Sequence, residues 1–148
     1  MTLQSSLRPT FLAITLVTSS AVYALPPRHV DVYKSPYCGC CEQWIGHMGR
    51  AGFEVMAHDV QDVPATRKTL GMPDRYGSCH TAKVGNYLIE GHVPAADVQR
   101  LLREQPTAIG LAAPGMPQGS PGMETATPQH FATLLIRKDG SYALFARH

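Results

Sequence analysis

The sequence lacks an excess of charge of either sign, with 13 lysines and arginines against 11 aspartates and glutamates in 148 residues. It contains no cluster of basic side chains, which excludes nucleic acids and anionic membrane surfaces as expected partners. Beyond the N-terminal region no apolar run is long enough to cross a bilayer. These absences exclude the nucleic-acid-binding and membrane-spanning classes for the main part of the chain.

The N-terminal 24 residues predict a secretory signal peptide. Arg8 is their only charged side chain, an apolar run extends from Phe11 to about Ala21, and Val22-Tyr23-Ala24 offers small residues at cleavage-site spacing. The apolar run is too short for a membrane span, and a retained N-terminal anchor is the alternative. We therefore expect residues 1–24 to be a signal peptide and residues 25–148 to be a single exported domain.

The spacing of apolar and turn-forming residues predicts an α/β fold with a thioredoxin-like β-α-β-α-β-β-α core. Two strands and two helices alternate first, and a hairpin around Gly85-Asn86 follows. In such a core the strands would lie in the sheet order 2-1-3-4, numbered along the chain. The third strand would run antiparallel to the first. The predicted elements are strands over 29–34 and 53–60, helices over 41–50 and 64–70, a helix opened by Pro94 and running through Gln105, and a C-terminal β-hairpin around Asp139-Gly140.

Three of the four cysteines are crowded into SPYCGCCEQW as Cys38, Cys40 and Cys41, and Cys79 follows in SCHT. An oxidising compartment allows disulfides, but a disulfide framework usually spreads its cysteines, and adjacent Cys40 and Cys41 cannot bridge each other without strain. Cys38 and Cys41 form a C-x-x-C at a helix N-terminus, where thiolates are favoured for redox attack and for metal binding alike. The pattern therefore indicates local chemistry.

The predicted topology brings these cysteines and two histidines to one edge of the sheet. The third strand starts beside the end of the first, and a two-residue loop at Gly85-Asn86 sets Cys79 opposite His92 and His80 opposite Gly91. Thiolates and imidazoles suit Cu(I) and Zn(II). The third crowded cysteine favours a metal, because two-electron thiol chemistry requires only two sulfurs. Redox chemistry alone, a long-range disulfide to Cys79 and structural bridging stay open as alternatives.

The other histidines and the methionines are weaker candidates for metal ligands. His47 lies about two helical turns beyond Cys40, so it would join only a multinuclear cluster or a site with a flexible rim. A surface or packed histidine is the alternative. His58 is a minor candidate. Met116 and Met123, in the Gly/Pro-rich segment 114–129, offer thioethers that select Cu(I), but packing as adaptable filler is favoured for them. The positions expected to be solvated are His29, His130 and His148.

The motifs CGCC, SCHTAKVGNYLIEGHVPAADVQRLL and GLAAPGMPQGSPGME together resemble the family of periplasmic copper-resistance proteins called CopG. The resemblance covers nearly the whole of residues 25–148. It implies a thioredoxin-like fold, a periplasmic location, a multinuclear copper cluster and interconversion of Cu(I) and Cu(II). Its implied copper ligands are Cys38, Cys40, Cys41, His47, Cys79, His80 and His92.

Copper ions and other periplasmic copper-resistance proteins are the partners expected from this resemblance. Two functions compete with a copper oxidoreductase. One is a thiol–disulfide oxidoreductase in which Cys38 attacks and Cys41 resolves. The other is a copper chaperone that transfers metal without chemistry.

Overall fold

The computed structural model describes residues 29–148, so the predicted signal peptide lies outside the described residues. Within that range the chain has three helices and seven strands. The elements are β1 His29–Lys34, α1 Gly39–Arg50, β2 Glu54–Asp59, α2 Val63–Leu70, β3 His80–Val84, β4 Tyr87–Gly91, α3 Ala95–Glu104, β5 Gly110–Ala113, β6 Ala132–Ile136 and β7 Tyr142–Arg147. No helix in this range is long and apolar enough to cross a membrane.

The seven strands form one sheet in the order β2-β1-β3-β4-β5-β6-β7. Its first four strands and the order β-α-β-α-β-β-α confirm the predicted core, and β3 runs antiparallel to β1. Val84 pairs with Tyr87, which confirms the two-residue loop at Gly85-Asn86. Since a one-residue slip would turn each side chain to the opposite face, this register positions the predicted site.

The C-terminal half of the sheet contains a strand that the sequence analysis did not predict. β5 runs parallel to β4 and antiparallel to β6, so it joins the predicted C-terminal hairpin to the core. All four residues of β5 are buried, and a short strand buried on both faces shows no alternating pattern. The hairpin is therefore part of the main sheet.

Helix α1 begins at Gly39, two positions before the predicted start at Cys41. The apolar periodicity begins only at Cys41, so it could not indicate the first turn. Cys38 occupies the N-cap position, which places the cysteine cluster at the helix N-terminus. Further along α1, Trp44 and Met48 are fully buried in the core. The indole nitrogen of Trp44 donates to the carbonyl of Val93 at 2.8 Å and ties the chain before α3 to α1.

Candidate metal centre

The four cysteines lie together where β1 ends and β3 begins. Cys38 and Cys41 are joined by a disulfide, and Cys40 and Cys79 are free thiols. The sulfur of Cys79 lies 3.5 Å from that of Cys41 and 3.9 Å from that of Cys40, and Cys40 lies 3.5 Å from Cys38. Four sulfurs from two separate segments thus form one group.

Two histidines contact the sulfur of Cys79 as well. Nε2 of His92 lies 3.0 Å from the sulfur of Cys79, and Nδ1 of His80 lies 3.4 Å from it. The structure thus contains two overlapping groups with metal-ligand spacing, Cys38-Cys40-Cys41-Cys79 and Cys79-His80-His92. Cys79 belongs to both, so the sulfur and the imidazole donors form one continuous centre.

The surroundings of each imidazole determine which nitrogen is available. Nδ1 of His92 contacts the carbonyl of Pro121 at 2.8 Å, and because a carbonyl only accepts, Nδ1 carries the proton and the lone pair of Nε2 faces Cys79. His80 is fully buried against the ring of Trp44, and its Nε2 has no hydrogen-bond partner among the described residues. A buried nitrogen without a partner costs free energy, so Nε2 of His80 keeps unused hydrogen-bonding capacity.

Burial favours the neutral forms of Cys79, His80 and His92. Burial, reinforced by neighbouring Cys40, raises the pKa of Cys79 to about 12. Burial, reinforced by nearby His92, lowers the pKa of His80 to about 3, and burial also lowers the pKa of His92. The protonated thiol of Cys79 donates to the lone pair of Nε2 of His92, and a bound cation would replace that proton and convert the thiol to a thiolate. Sulfur and imidazole donors of this kind fit Cu(I) or Zn(II).

A buried charged network holds the segment that carries Cys79. Glu90 is fully buried, and its Oε1 accepts hydrogen bonds from Nε of Arg67 at 2.8 Å and from the backbone of Ser78 at 2.7 Å. The hydroxyl of Thr81 donates to Oε2 at 2.6 Å. Arg67 also donates to the carbonyl of Ser78 at 2.7 Å. Both backbone groups of Ser78 are thus held directly before Cys79.

The sequence analysis did not identify this network. The signal for it was an ionisable residue, Glu90, inside the apolar strand YLIEG, since a charge in a buried strand requires a partner. The partner, Arg67, lies on α2 and cannot be identified from spacing alone.

The Gly/Pro-rich segment packs onto the centre. A Cβ at Gly122 would lie 2.7 Å from the carbonyl oxygen of Cys40 and 3.3 Å from Nδ1 of His92, and the φ of Gly122 is +85°. Only glycine fits this close approach. Met123 is half-buried, whereas Met116 is 54% exposed, so the packing role favoured from the sequence does not describe Met116.

The remaining predicted histidines have other contacts. Nε2 of His47 accepts a hydrogen bond from the backbone N–H of Ala95 at 3.0 Å, at the start of α3, and neither group with metal-ligand spacing contains it. Burial lowers the pKa of His47. Its ligand role stays a prediction. His58 stacks on Tyr33 and contacts Asp31 at 2.8 Å, and neither group with metal-ligand spacing contains it.

His148 is exposed as a residue, as expected, but its side chain is partly covered. Nε2 of His148 lies 2.9 Å from a carboxylate oxygen of Asp97, and the side chain is 25% exposed. The reason is that the C-terminal hairpin joins the sheet, which brings the chain end against α3. His29 and His130 are exposed, as expected.

Comparison with known proteins gives two kinds of match. A family model described as a protein of unknown function, DUF411, matches residues 76–123. Two solved structures, both named copper resistance protein CopG and designated forms 1 and 2, are each 40% identical to this chain. Each alignment covers 82% of this chain and 98% of the solved chain, with TM-scores of 0.77 and 0.78. No curated protein matches the chain.

Proposed function

This chain belongs to the CopG family of copper resistance proteins, and we propose from that premise that it binds copper ions and acts in copper resistance. The observation that carries the proposal is the joining of four sulfurs and two imidazoles through Cys79. Their soft and borderline donors match the ligand preference of Cu(I). Nδ1 of His80, 3.4 Å from the sulfur of Cys79, supports the same conclusion, because it adds a second imidazole donor to the group.

The proposed ligands are the four cysteines with His80 and His92. While Cys38 and Cys41 form a disulfide, only Cys40 and Cys79 offer thiols. Two-electron reduction of the disulfide would add two thiolates, so copper loading is coupled to reduction of the protein. Four thiolates that bridge neighbouring ions would hold a multinuclear Cu(I) cluster. His47 is proposed only as an outer ligand, which would exchange its contact with Ala95 for copper.

We also propose that the thiols exchange electrons with copper. Two thiols that form one disulfide release two protons and two electrons, which reduce two Cu(II) ions to Cu(I). The reverse reaction would return Cu(II). With Cys38 and Cys41 as the redox pair, the protein would be a copper oxidoreductase.

A thiol–disulfide oxidoreductase is the second candidate, and the Cys38–Cys41 disulfide at the N-terminus of α1 favours it. In that function Cys38 attacks a partner disulfide and Cys41 resolves the mixed disulfide. A copper chaperone that transfers metal to a partner protein without electron transfer is the third. The thiol–disulfide oxidoreductase gives no role to Cys40, and the chaperone gives no role to the disulfide.

The experiment is a copper titration of the reduced protein, with metal analysis after desalting under anaerobic conditions. We expect more than one copper per chain, and retention of none would overturn the proposal. A single retained copper would contradict the multinuclear cluster. Cys40→Ser is the matched variant, because it keeps the C-x-x-C pair. It should lose copper and retain thiol exchange with a small disulfide such as oxidised glutathione.

The location proposed for this function is the periplasm, with residues 1–24 removed as a signal peptide and residues 25–148 as the mature domain. Other periplasmic copper-resistance proteins are the proposed partners. Expression of the full chain in a Gram-negative host and intact-mass analysis of the periplasmic fraction would test this. The expected mass begins at Leu25. A mass that retains the N-terminal segment, recovered with membranes, would support an anchor instead.

A further inference from the structure

A group of nitrogen and oxygen donors lies where β1 pairs with β2, and it consists of His29, Asp31 and His58. Nε2 of His58 lies 2.8 Å from Oδ1 of Asp31, and Nε2 of His29 lies 3.4 Å from the same oxygen. The strands are parallel and in register, with Asp31 paired to Met56 and Tyr33 paired to His58. Two imidazoles and one carboxylate thus converge on a single atom. We call these three residues the outer-face group.

The outer-face group lies on the side of the sheet away from the Cys/His centre. His80 of the centre packs against Trp44, and Trp44 belongs to the same core cluster as Val30 and Val32. Because successive side chains of a strand point to opposite faces, Asp31 between these valines points away from that core. The two groups therefore share no donor, and metal binding at one does not require the other.

We propose that the outer-face group is a second metal site, which binds Cu(II) between Oδ1 of Asp31 and the two imidazole nitrogens. Two ligand atoms bonded to one ion at about 2.0–2.2 Å, with angles of about 90–110°, lie roughly 2.8–3.6 Å apart. The nitrogen–oxygen distances of 2.8 and 3.4 Å fall in this range. The ion would take the place of the proton between His58 and Asp31, and the neutral ring would carry its proton on Nδ1 instead. Binding involves no redox step.

Two of the three donors are oriented before the ion arrives. The ring of His58 stacks on that of Tyr33 with centroids 4.9 Å apart, and its contact with Asp31 fixes the orientation further. His29 is exposed at the start of β1, so its ring can turn until the nitrogen reaches the ion. A fixed nitrogen and a fixed oxygen would thus receive the ion, and the exposed ring would complete the site.

The donor types select the oxidation state of the metal. Imidazole nitrogen and carboxylate oxygen without sulfur suit Cu(II), which also has the highest affinity for such sites among divalent first-row ions. Glu54 pairs with His29 and offers a second carboxylate on the same face. Lys83 pairs with Asp31 from β3, but it is exposed and its flexible stem can direct the charge to solvent. Two carboxylates with neutral imidazoles would balance the charge of the ion.

A Cu(II) titration of the untagged chain tests the second site in a background without free thiols. Cys40→Ser/Cys79→Ser supplies this background, because the two remaining cysteines form the disulfide. Paramagnetic Cu(II) broadens the NMR signals of nearby amides, so we expect the signals of β1 and β2 around the outer-face group to disappear first. Broadening confined to other segments would overturn the proposal. Zn(II) should compete weakly, and tighter binding of Zn(II) would overturn the assignment of the ion.

His29→Gln, Asp31→Asn and His58→Gln each remove one proposed ligand in this background. Each should weaken Cu(II) binding at least about 10-fold in calorimetric titrations, since even changes to the partners of metal ligands have effects of that size. His130→Gln is the matched control, because His130 is also exposed and lies outside the group. Equal Cu(II) affinities of folded His58→Gln and His130→Gln proteins would overturn the site, and circular dichroism verifies folding. Copper retention by reduced wild-type protein is measured separately, so failure of this site and failure of the Cys/His centre are distinguishable.

Discussion

Two buried polar clusters lie next to each other on the β3–β4 hairpin, and they differ in how well their polar atoms are paired. The Arg67–Glu90 network occupies the last paired rung of the hairpin, where Thr81 faces Glu90. The second cluster is the Cys/His centre with Cys79, His80 and His92, and it lies just beyond this rung. Every buried polar side-chain atom of the first cluster has a partner, whereas the second contains the unpaired Nε2 of His80.

The difference indicates a division of labour. Oppositely charged groups that satisfy each other hold the backbone around Ser78 and have no capacity left for a ligand. The Cys/His centre consists of softer, neutral donors whose capacity is only partly used. The first cluster therefore serves stability, and the second is the proposed binding site. Four substitutions and one change of pH would test this division.

Arg67→Met should lower the free energy of unfolding by about 3–5 kcal/mol, because it leaves the buried carboxylate of Glu90 without its cationic partner. Urea denaturation of the metal-free chain measures this. The double variant Arg67→Met/Glu90→Leu removes both charges and should recover most of the loss. A single variant within about 1 kcal/mol of wild type would contradict a stabilising role for the network.

Acid should destabilise the metal-free chain through His80. The folded pKa of this residue is about 3 against an ordinary value of 6.5, so the unfolded chain binds the proton first as the pH falls below 6.5. The stabilisation is fully present above pH 6.5. Below that pH the free energy of unfolding decreases by about 1.4 kcal/mol per pH unit for one such histidine. Denaturation at pH 7, 6 and 5 checks the slope.

His80→Leu is the matched variant for this slope. At pH 7 it should change stability by less than about 1.5 kcal/mol, because it removes a nitrogen that has no partner and conserves volume. It should also flatten the pH dependence by one proton and lower the copper retained. Equal slopes in the two proteins would show that His80 is not the group that titrates.

Gly122→Ala should lower the free energy of unfolding by about 1–3 kcal/mol and reduce copper retention. The added Cβ would collide with Cys40 and His92, at a position with a positive φ. Gly115→Ala is its control. Gly115 also has a positive φ, but nothing lies within 4 Å of the position of its Cβ, so it should show backbone strain alone. Thermal unfolding and metal analysis compare the two. Identical behaviour would mean that contact between the loop and the centre contributes nothing.

His47→Ala has the smallest expected effect, about 1 kcal/mol, because it removes one hydrogen-bond acceptor at the start of α3. Urea denaturation measures the loss, and copper analysis accompanies it. A lower copper content would support the outer-ligand role. An unchanged copper content would mean that His47 only caps α3, and so contributes to stability and not to binding.

Much of the fold was predictable from local sequence. The alternation around Val30 and Val32 predicted β1, and the Gly85-Asn86 turn predicted the hairpin register that brings Cys79 to His92. β5 was missed because a short strand buried on both faces has no period to detect. The start of α1 was late by one half-turn for a related reason, since Gly39 and Cys40 carry no amphipathic signal.

The candidate site was predictable to a similar depth. The crowding of Cys38, Cys40 and Cys41 with a distant Cys-His pair indicated a metal centre before any geometry was known. The Arg67–Glu90 pair was not predictable, because its members are 23 residues apart and lie on different elements. The contact between Pro121 and His92 was likewise hidden in a segment without periodicity.

The sequence by itself determined the donor atoms, the local elements that carry them and the register of one hairpin, because each depends on residues close together in the chain. Only the tertiary structure decided which donors are paired. It left Nε2 of His80 without a partner, directed His92 at Cys79 and placed Gly122 against Cys40. The physical reason is that burial and hydrogen bonding depend on residues that are distant in the chain. These contacts determine whether a cysteine and a histidine only pack in the core, form a redox pair or bind a ligand.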